Sequence, residues 1–186
     1  MSLLRIYPED DPSVLEQFFE FDPISRKMRE AGIEFVRWVA DQQLSQNATQ
    51  EEILQAYDKP VKKLMQDRGF ATADVISVHA GTPNIPELRK KFLDEHTHSE
   101  DEARFFVEGS GLFFIHTGEK VYALLCERGD FIDIPPLTKH WFDMGPRPLL
   151  KCIRTFTSPE GWAANYTGSL IASRFPRMEV FAPASA

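Results

Sequence analysis

The chain has 186 residues, 42% hydrophobic and 26% charged, the composition of one ordinary globular domain with a full core. Its formal net charge is -7 with a pI near 5.3, and no run of Lys or Arg tracks through it, which disfavours nucleic acid or an anionic membrane as partner and points to a small molecule. No stretch approaches the roughly 18 consecutive apolar residues of a membrane span, and the opening MSLLRIYPEDDPSV turns acidic at once, unlike a secretory signal.

Residues 3–7 are apolar and read as a first strand, broken between Pro8 and Pro12. Residues 22–39 carry a helix start at Ser25, a break at Gly32, and then IEFVRWV, whose β-branched and aromatic content is that of a strand. Residues 47–68 have the clearest helical period, with Ile53, Leu54, Tyr57, Val61 and Leu64 on one face. Thr49 and Glu52 have the spacing of a capping box, Pro60 should kink or divide the helix, and Gly69 should end it. DVISVH, residues 74–79, reads as a strand, and residues 87–93 as a short basic helical turn.

From residue 102 short strands alternate with tight turns: EARFFV, LFFIHT, a Gly118-Glu119 turn, VYALLCE, an Arg128-Gly129 turn, and DFIDI. Residues 149–156 continue the pattern, with Leu150, Cys152, Arg154 and Phe156 on one face. This spacing predicts an antiparallel sandwich or barrel. Gly109, Gly111 and Gly129 read as turn glycines. The last stretch is richer in turns and is expected to cap the barrel. Cys126 and Cys152, the only cysteines, read as reduced core thiols of a cytoplasmic protein.

Chemistry concentrates in EHTHSEDEARFFVEGSG, residues 95–111, where His96, His98 and Glu102 fall within seven residues. In an extended strand alternate side chains share a face, so His96 and His98 point the same way about 7 Å apart. Glu102 keeps that parity if residues 99–101 do not bulge the strand, and His140 must arrive from another strand. A lone histidine on a strand is usually a satisfied polar residue; three of the chain's five histidines in one such pattern is not what chance supplies. Imidazoles with one carboxylate suit iron(II), nickel(II), manganese(II) or zinc better than calcium or magnesium, and four ligands of an octahedron leave two positions for a chelating substrate. His79 and His116 lie outside the pattern and are expected to be structural or exposed.

These spacings resemble the cupin superfamily, whose first motif is met at His96, His98, Glu102 and Gly109 and whose second runs from Gly129 through Pro135 to His140. Lys90, Leu137 and Met144 stand where glycine, glycine and asparagine are common. Residues 92–111, with HWFDMG at 140–145, PEGW at 159–162, the closing SRFPR and the N-terminal GIEFVRW, look like the acireductone dioxygenases of methionine salvage. The resemblance covers nearly the whole chain.

That family implies a mainly β, antiparallel cupin jelly-roll barrel with N-terminal helices: a single domain in which residues 1–90 pack α/β elements on the barrel, 91–157 form the metal-binding core and 158–186 cap it. It implies one iron(II) or nickel(II) ion per chain held by His96, His98, Glu102 and His140. Its substrates are 1,2-dihydroxy-3-keto-5-methylthiopentene and molecular oxygen. With iron the products are 2-keto-4-methylthiobutanoate and formate; with nickel they are methylthiopropanoate, formate and carbon monoxide. Arg104, two residues past Glu102, is expected to point into the barrel and hold the substrate enolate, its alternative being a pair with a carboxylate such as Asp101. The resemblance places Phe92, Phe142 and Trp162 around the methylthio tail, and Phe106 is a further aromatic that could line the pocket. A monomer is expected. The rival readings are another metal-dependent cupin, such as a sugar isomerase or thiol dioxygenase, and a cupin that binds a ligand without turnover.

Overall fold

The structure, a computed structural model, describes residues 2–158 and 163–181. Its elements are β1 (Leu3–Pro8), β2 (Glu16–Phe18), α1 (Phe21–Glu30), β3 (Glu34–Arg37), α2 (Gln50–Ala56), α3 (Asp58–Arg68), β4 (Thr72–Val78), α4 (Ile85–Leu93), β5 (His96–Thr97), β6 (Glu102–Thr117), β7 (Lys120–Glu127), β8 (Asp130–Ile134), β9 (Lys139–Asp143), β10 (Leu150–Phe156) and β11 (Asn165–Tyr166). Among the described residues every strand pairing is antiparallel.

The sheet is organised around β6, a single strand of 16 residues where two short strands and a turn were expected. Its first part pairs with β8 and β10, its second with β7 and β9. One strand therefore serves two layers, β11-β5-β9-β6-β7-β1-β2 and β4-β10-β6-β8-β3. It changes layer at Gly109, which has φ 71° and lies so close to β10 that a Cβ there would stand 1.7 Å from the Leu149 carbonyl oxygen. Only glycine fits such a bulge, and the register on β10 slips beside it, between Lys151 and Cys152. Gly109 and Gly111 thus lie inside the strand; Gly129, at φ 94°, is the turn glycine expected. The β6–β7 hairpin turns at Gly118 and Glu119, both at positive φ, as a tight two-residue connection requires.

The frequent phenylalanines follow from burial of β6 on both faces. Phe106, Phe113 and Ile115 face the interior with Ile132, Leu124 and Phe142. Phe105 and Val107 face outward beneath α2 and α3, meeting Ile53, Tyr57, Val61 and Leu64. Phe114, also outward, stacks on Trp141 under Ile171, Phe175, Met178 and Phe181, so the C-terminal segment covers one outer face of the sheet.

The long helix is two. Thr49 and Glu52 form the capping box, but α2 ends at Tyr57 and α3 restarts at Asp58, since a continuous helix would drive the Pro60 ring into the carbonyl of Ala56. Pro60 instead sits in the first turn of α3, and Gly69, φ 73°, ends it. α1 starts at Phe21, not Ser25, whose hydroxyl donates to the Phe35 carbonyl at 2.8 Å and ties the helix to β3. β2, a three-residue edge strand, carries no periodicity from which it could have been read. Cys126 and Cys152 are buried free thiols, and burial pushes the Cys152 thiol up to about 12.

Candidate metal centre

His96 and His140 are Cα partners across β5 and β9. β5 lasts only two residues, and the chain then bends away, so His98 stands just beyond it and Glu102 opens a different strand, facing Ile134 of β8. The uninterrupted parity expected from His96 to Glu102 therefore does not exist. β5 belongs to one layer and the start of β6 to the other, and the turn crosses the gap. It is pinned at both ends: His98 oxygen accepts from Leu137 N–H at 2.9 Å, and the Glu100 carboxylate accepts from Ser158 N–H at 2.9 Å.

The four groups nevertheless converge. His96, His98 and His140 bring one ring nitrogen each to within 4.8 Å of one another, and all three are buried. Glu102 Oε2 lies 2.7 Å from His140 Nε2 and 3.5 Å from His98 Nε2. Each Nδ1 contacts a backbone carbonyl: His96 that of Asp94 at 2.7 Å, His98 that of Ala163 at 3.1 Å, His140 that of Thr138 at 2.8 Å. A carbonyl only accepts, so Nδ1 carries the proton and Nε2 is left with its lone pair.

Burial disfavours the charged ring, bringing His96 down to about 4 and lowering His98 as well, so both are neutral near pH 7. Burial alone would raise Glu102; the Arg104 guanidinium beside it overturns this, and the carboxyl is held well below the usual range. An ionised carboxylate thus faces imidazole lone pairs in a buried site, and among the described residues neither its oxygens nor His140 Nε2 has a hydrogen bond of acceptable geometry. A cation at the common point relieves that contact, and this donor set suits a borderline transition ion.

Arg104 is 3% exposed and pairs with Glu102, not Asp101. Its guanidinium lies 5.2 Å from the ring centres of both Phe113 and Phe142, and its Nε has no hydrogen-bond partner among the described residues. Beside it opens a cavity of about 430 Å³ lined by His96, His98, Glu102, Phe92 and Phe156 among others. Phe142 is not on that lining; it lies buried beneath Arg104, edge-on to Phe92. Phe106 is wholly in the core. Trp162 and the rest of PEGW lie outside the described residues. A larger cleft of about 1230 Å³ between β3 and the α2–α3 pair holds none of the histidines.

Two features escaped the sequence. Glu95, 2% exposed, accepts from Thr167 at 2.6 Å and faces His116 Nδ1 at 2.6 Å, while His116 Nε2 faces Glu9 at 2.7 Å, so His116 is structural. Nothing local to Glu95 signals its burial. Arg154 also lines the cavity; its sign was a cation on the same strand face as Cys152 and Phe156.

The pattern describing the ARD/ARD' family matches residues 4–164. The acireductone dioxygenase of Methylococcus capsulatus is 53% identical over 96% of this chain and 96% of its own length. That of Marinobacter nauticus is 52% identical over 98% of both. Among solved structures, the acireductone dioxygenase of Bacillus anthracis with a cadmium ion in its active centre superposes with a TM-score of 0.77 at 29% identity, covering 89% of this chain and 98% of that one.

Proposed function

Because the chain belongs to the ARD/ARD' family, we infer that it catalyses the reaction for which its relatives are named, the dioxygenation of an acireductone. It is a metal-dependent dioxygenase of methionine salvage with a cupin fold. Its cofactor is iron(II) or nickel(II). The substrate is 1,2-dihydroxy-3-keto-5-methylthiopentene. Cleavage with iron gives 2-keto-4-methylthiobutanoate and formate, and with nickel methylthiopropanoate, formate and carbon monoxide. His96, His98, His140 and Glu102 are the ligands in this reading. The observation that carries it is the set of Nε2 lone pairs turned, with the Nδ1 protons all committed to backbone, onto a point beside a buried carboxylate.

When bound, the ion would supply Lewis acidity toward a chelating enediol. The side chains do the rest. Ionised Glu102 supplies the one negative ligand, and neutral imidazoles leave the site able to accept an anion. Arg104, already buried, meets the enediolate charge without reorganising. Phe92 contributes an apolar wall that favours the methylthio tail and keeps water off the reacting carbons, with Phe142 supporting Arg104 from beneath and Trp162 assigned to the tail. We read the protein as a single domain, monomeric and cytoplasmic. The test is product analysis after loading purified protein with iron or nickel in the presence of an acireductone and oxygen. Carbon monoxide from the nickel form alone supports the reading; no oxygen consumption by either form refutes it.

A further inference from the structure

Arg154 and Arg104 are Cα partners across β10 and β6, and Arg154 is likewise the partner of Asp74 across β10 and β4. Both arginines line the cavity. Like charges directly opposite on a sheet destabilise it, so a second guanidinium here needs compensation. Asp74 supplies part of it: Arg154 Nε donates to one carboxylate oxygen at 2.8 Å and Nη2 to the other at 2.5 Å. That fork fixes the guanidinium plane over the Phe156 ring, whose centre is 5.1 Å away. A guanidinium has five N–H donors and the fork uses two; among the described residues no acceptor meets the others.

Resting on the acireductone reading, the chemistry of the substrate supplies what is missing. An acireductone carries three adjacent oxygens. The enediol pair has its place at the histidine cluster and Arg104. The third, the keto oxygen, shares the negative charge of the conjugated anion and gives up water on entering a cavity walled by Phe92 and Phe156. We propose that Arg154 is a substrate-binding residue whose free N–H donors take that oxygen, and that Asp74 is the positioning residue that holds its plane. The two arginines on adjacent strands then select a contiguous array of oxygens over a simple enol.

The proposal is tested on metal-loaded protein by oxygen consumption against acireductone concentration and by anaerobic binding of the same acireductone, in the native chain and in Arg154→Met, Arg154→Lys and Asp74→Asn. Loss of a charge-assisted donor predicts that Arg154→Met raises both KM and the anaerobic Kd by roughly tenfold to a hundredfold, with a smaller change in kcat. Arg154→Lys restores the charge without the fork and lies between, and Asp74→Asn raises KM several-fold with metal content unchanged. If the pair only joins β10 to β4, Arg154→Met and Asp74→Asn lower Tm together and leave KM and Kd within twofold of native, which overturns the proposal. Should Arg154→Met fail to fold, Arg154→Lys and Asp74→Asn decide by the same split. A native chain that neither binds nor turns over the acireductone overturns the reading of the site itself, and the role of Arg154 with it.

Discussion

Gly111 and Phe142 touch through an absent side chain: a Cβ on Gly111 would stand 2.2 Å from the Phe142 ring. Phe142 in turn lies under the Arg104 guanidinium, so a glycine in β6 sets the floor on which a buried cation rests. Gly111→Ala is expected to force the ring aside, at about 1–3 kcal/mol of stability, and to lower turnover through Arg104. Pairing it with Phe142→Leu should recover part of the stability. Denaturant unfolding of both singles and the double gives the coupling, and strict additivity would exclude the contact.

Glu102→Gln keeps volume and removes charge. The only anionic member of the cluster is lost and Arg104 is left buried without its partner. Metal content at fixed free metal is expected to fall tenfold or more, about the scale seen when ligand shells are disrupted, with loss of oxygen consumption. The metal-free fold should lose about 3 kcal/mol, the cost of stranding a buried charge. Elemental analysis and urea unfolding measure the two effects separately.

Leu137 adopts φ 62° while 72% exposed, with its N–H donated to the His98 oxygen. A non-glycine residue in this region is strained and its side chain gains nothing from packing. Leu137→Gly is expected to raise stability by about 1 kcal/mol, the strain released less the entropy glycine adds to the unfolded chain. A Tm that falls would mean that the conformation is not strained.

The pH dependence of the metal-free protein has two opposed parts. His96 is lowered from 6.5 to about 4 in the fold, mainly by burial and then by His140. Between those values the unfolded chain binds more protons, so this contribution is present above 6.5 and is lost as pH falls through about 4, up to about 3 kcal/mol. Asp133 is raised from 3.8 to about 6 by burial and then by Asp101. Its sign is the reverse: the contribution is complete below 3.8 and is lost as pH rises through about 6. Asp133→Asn should therefore stabilise the protein at pH 7 and steepen its loss of stability on acidification. Unfolding free energies from pH 4 to pH 7 check both. In the metal-loaded protein, retention at pH 6 with release toward pH 4 is expected from the same His96 value.

The alternation of apolar residues from β6 to β10 and the hairpin glycine Gly118 were legible because each is a local matter of period or backbone conformation. The identity of the four clustered residues was legible too, but the route between them was not. Parity along one strand was the argument for His96, His98 and Glu102, and the chain instead bends after His98 and re-enters in the other layer. Pairing of His96 with His140 and of Glu102 with Ile134 is long-range, and no local pattern records it. The same holds for Phe106, whose pocket or core facing is decided by the bulge at Gly109, and for Glu95, whose partners His116 and Thr167 are brought up by β6 and by the stretch after β11.

The sharing of β6 between both layers makes the metal site a property of the whole sheet. Glu102 lies in the half of β6 that pairs with β8 and β10, His140 lies on β9, which pairs with the other half, and His96 reaches the site through β9. The four groups therefore do not form a detachable module, and their spacing is only as well defined as the bend at Gly109 that relates the two halves.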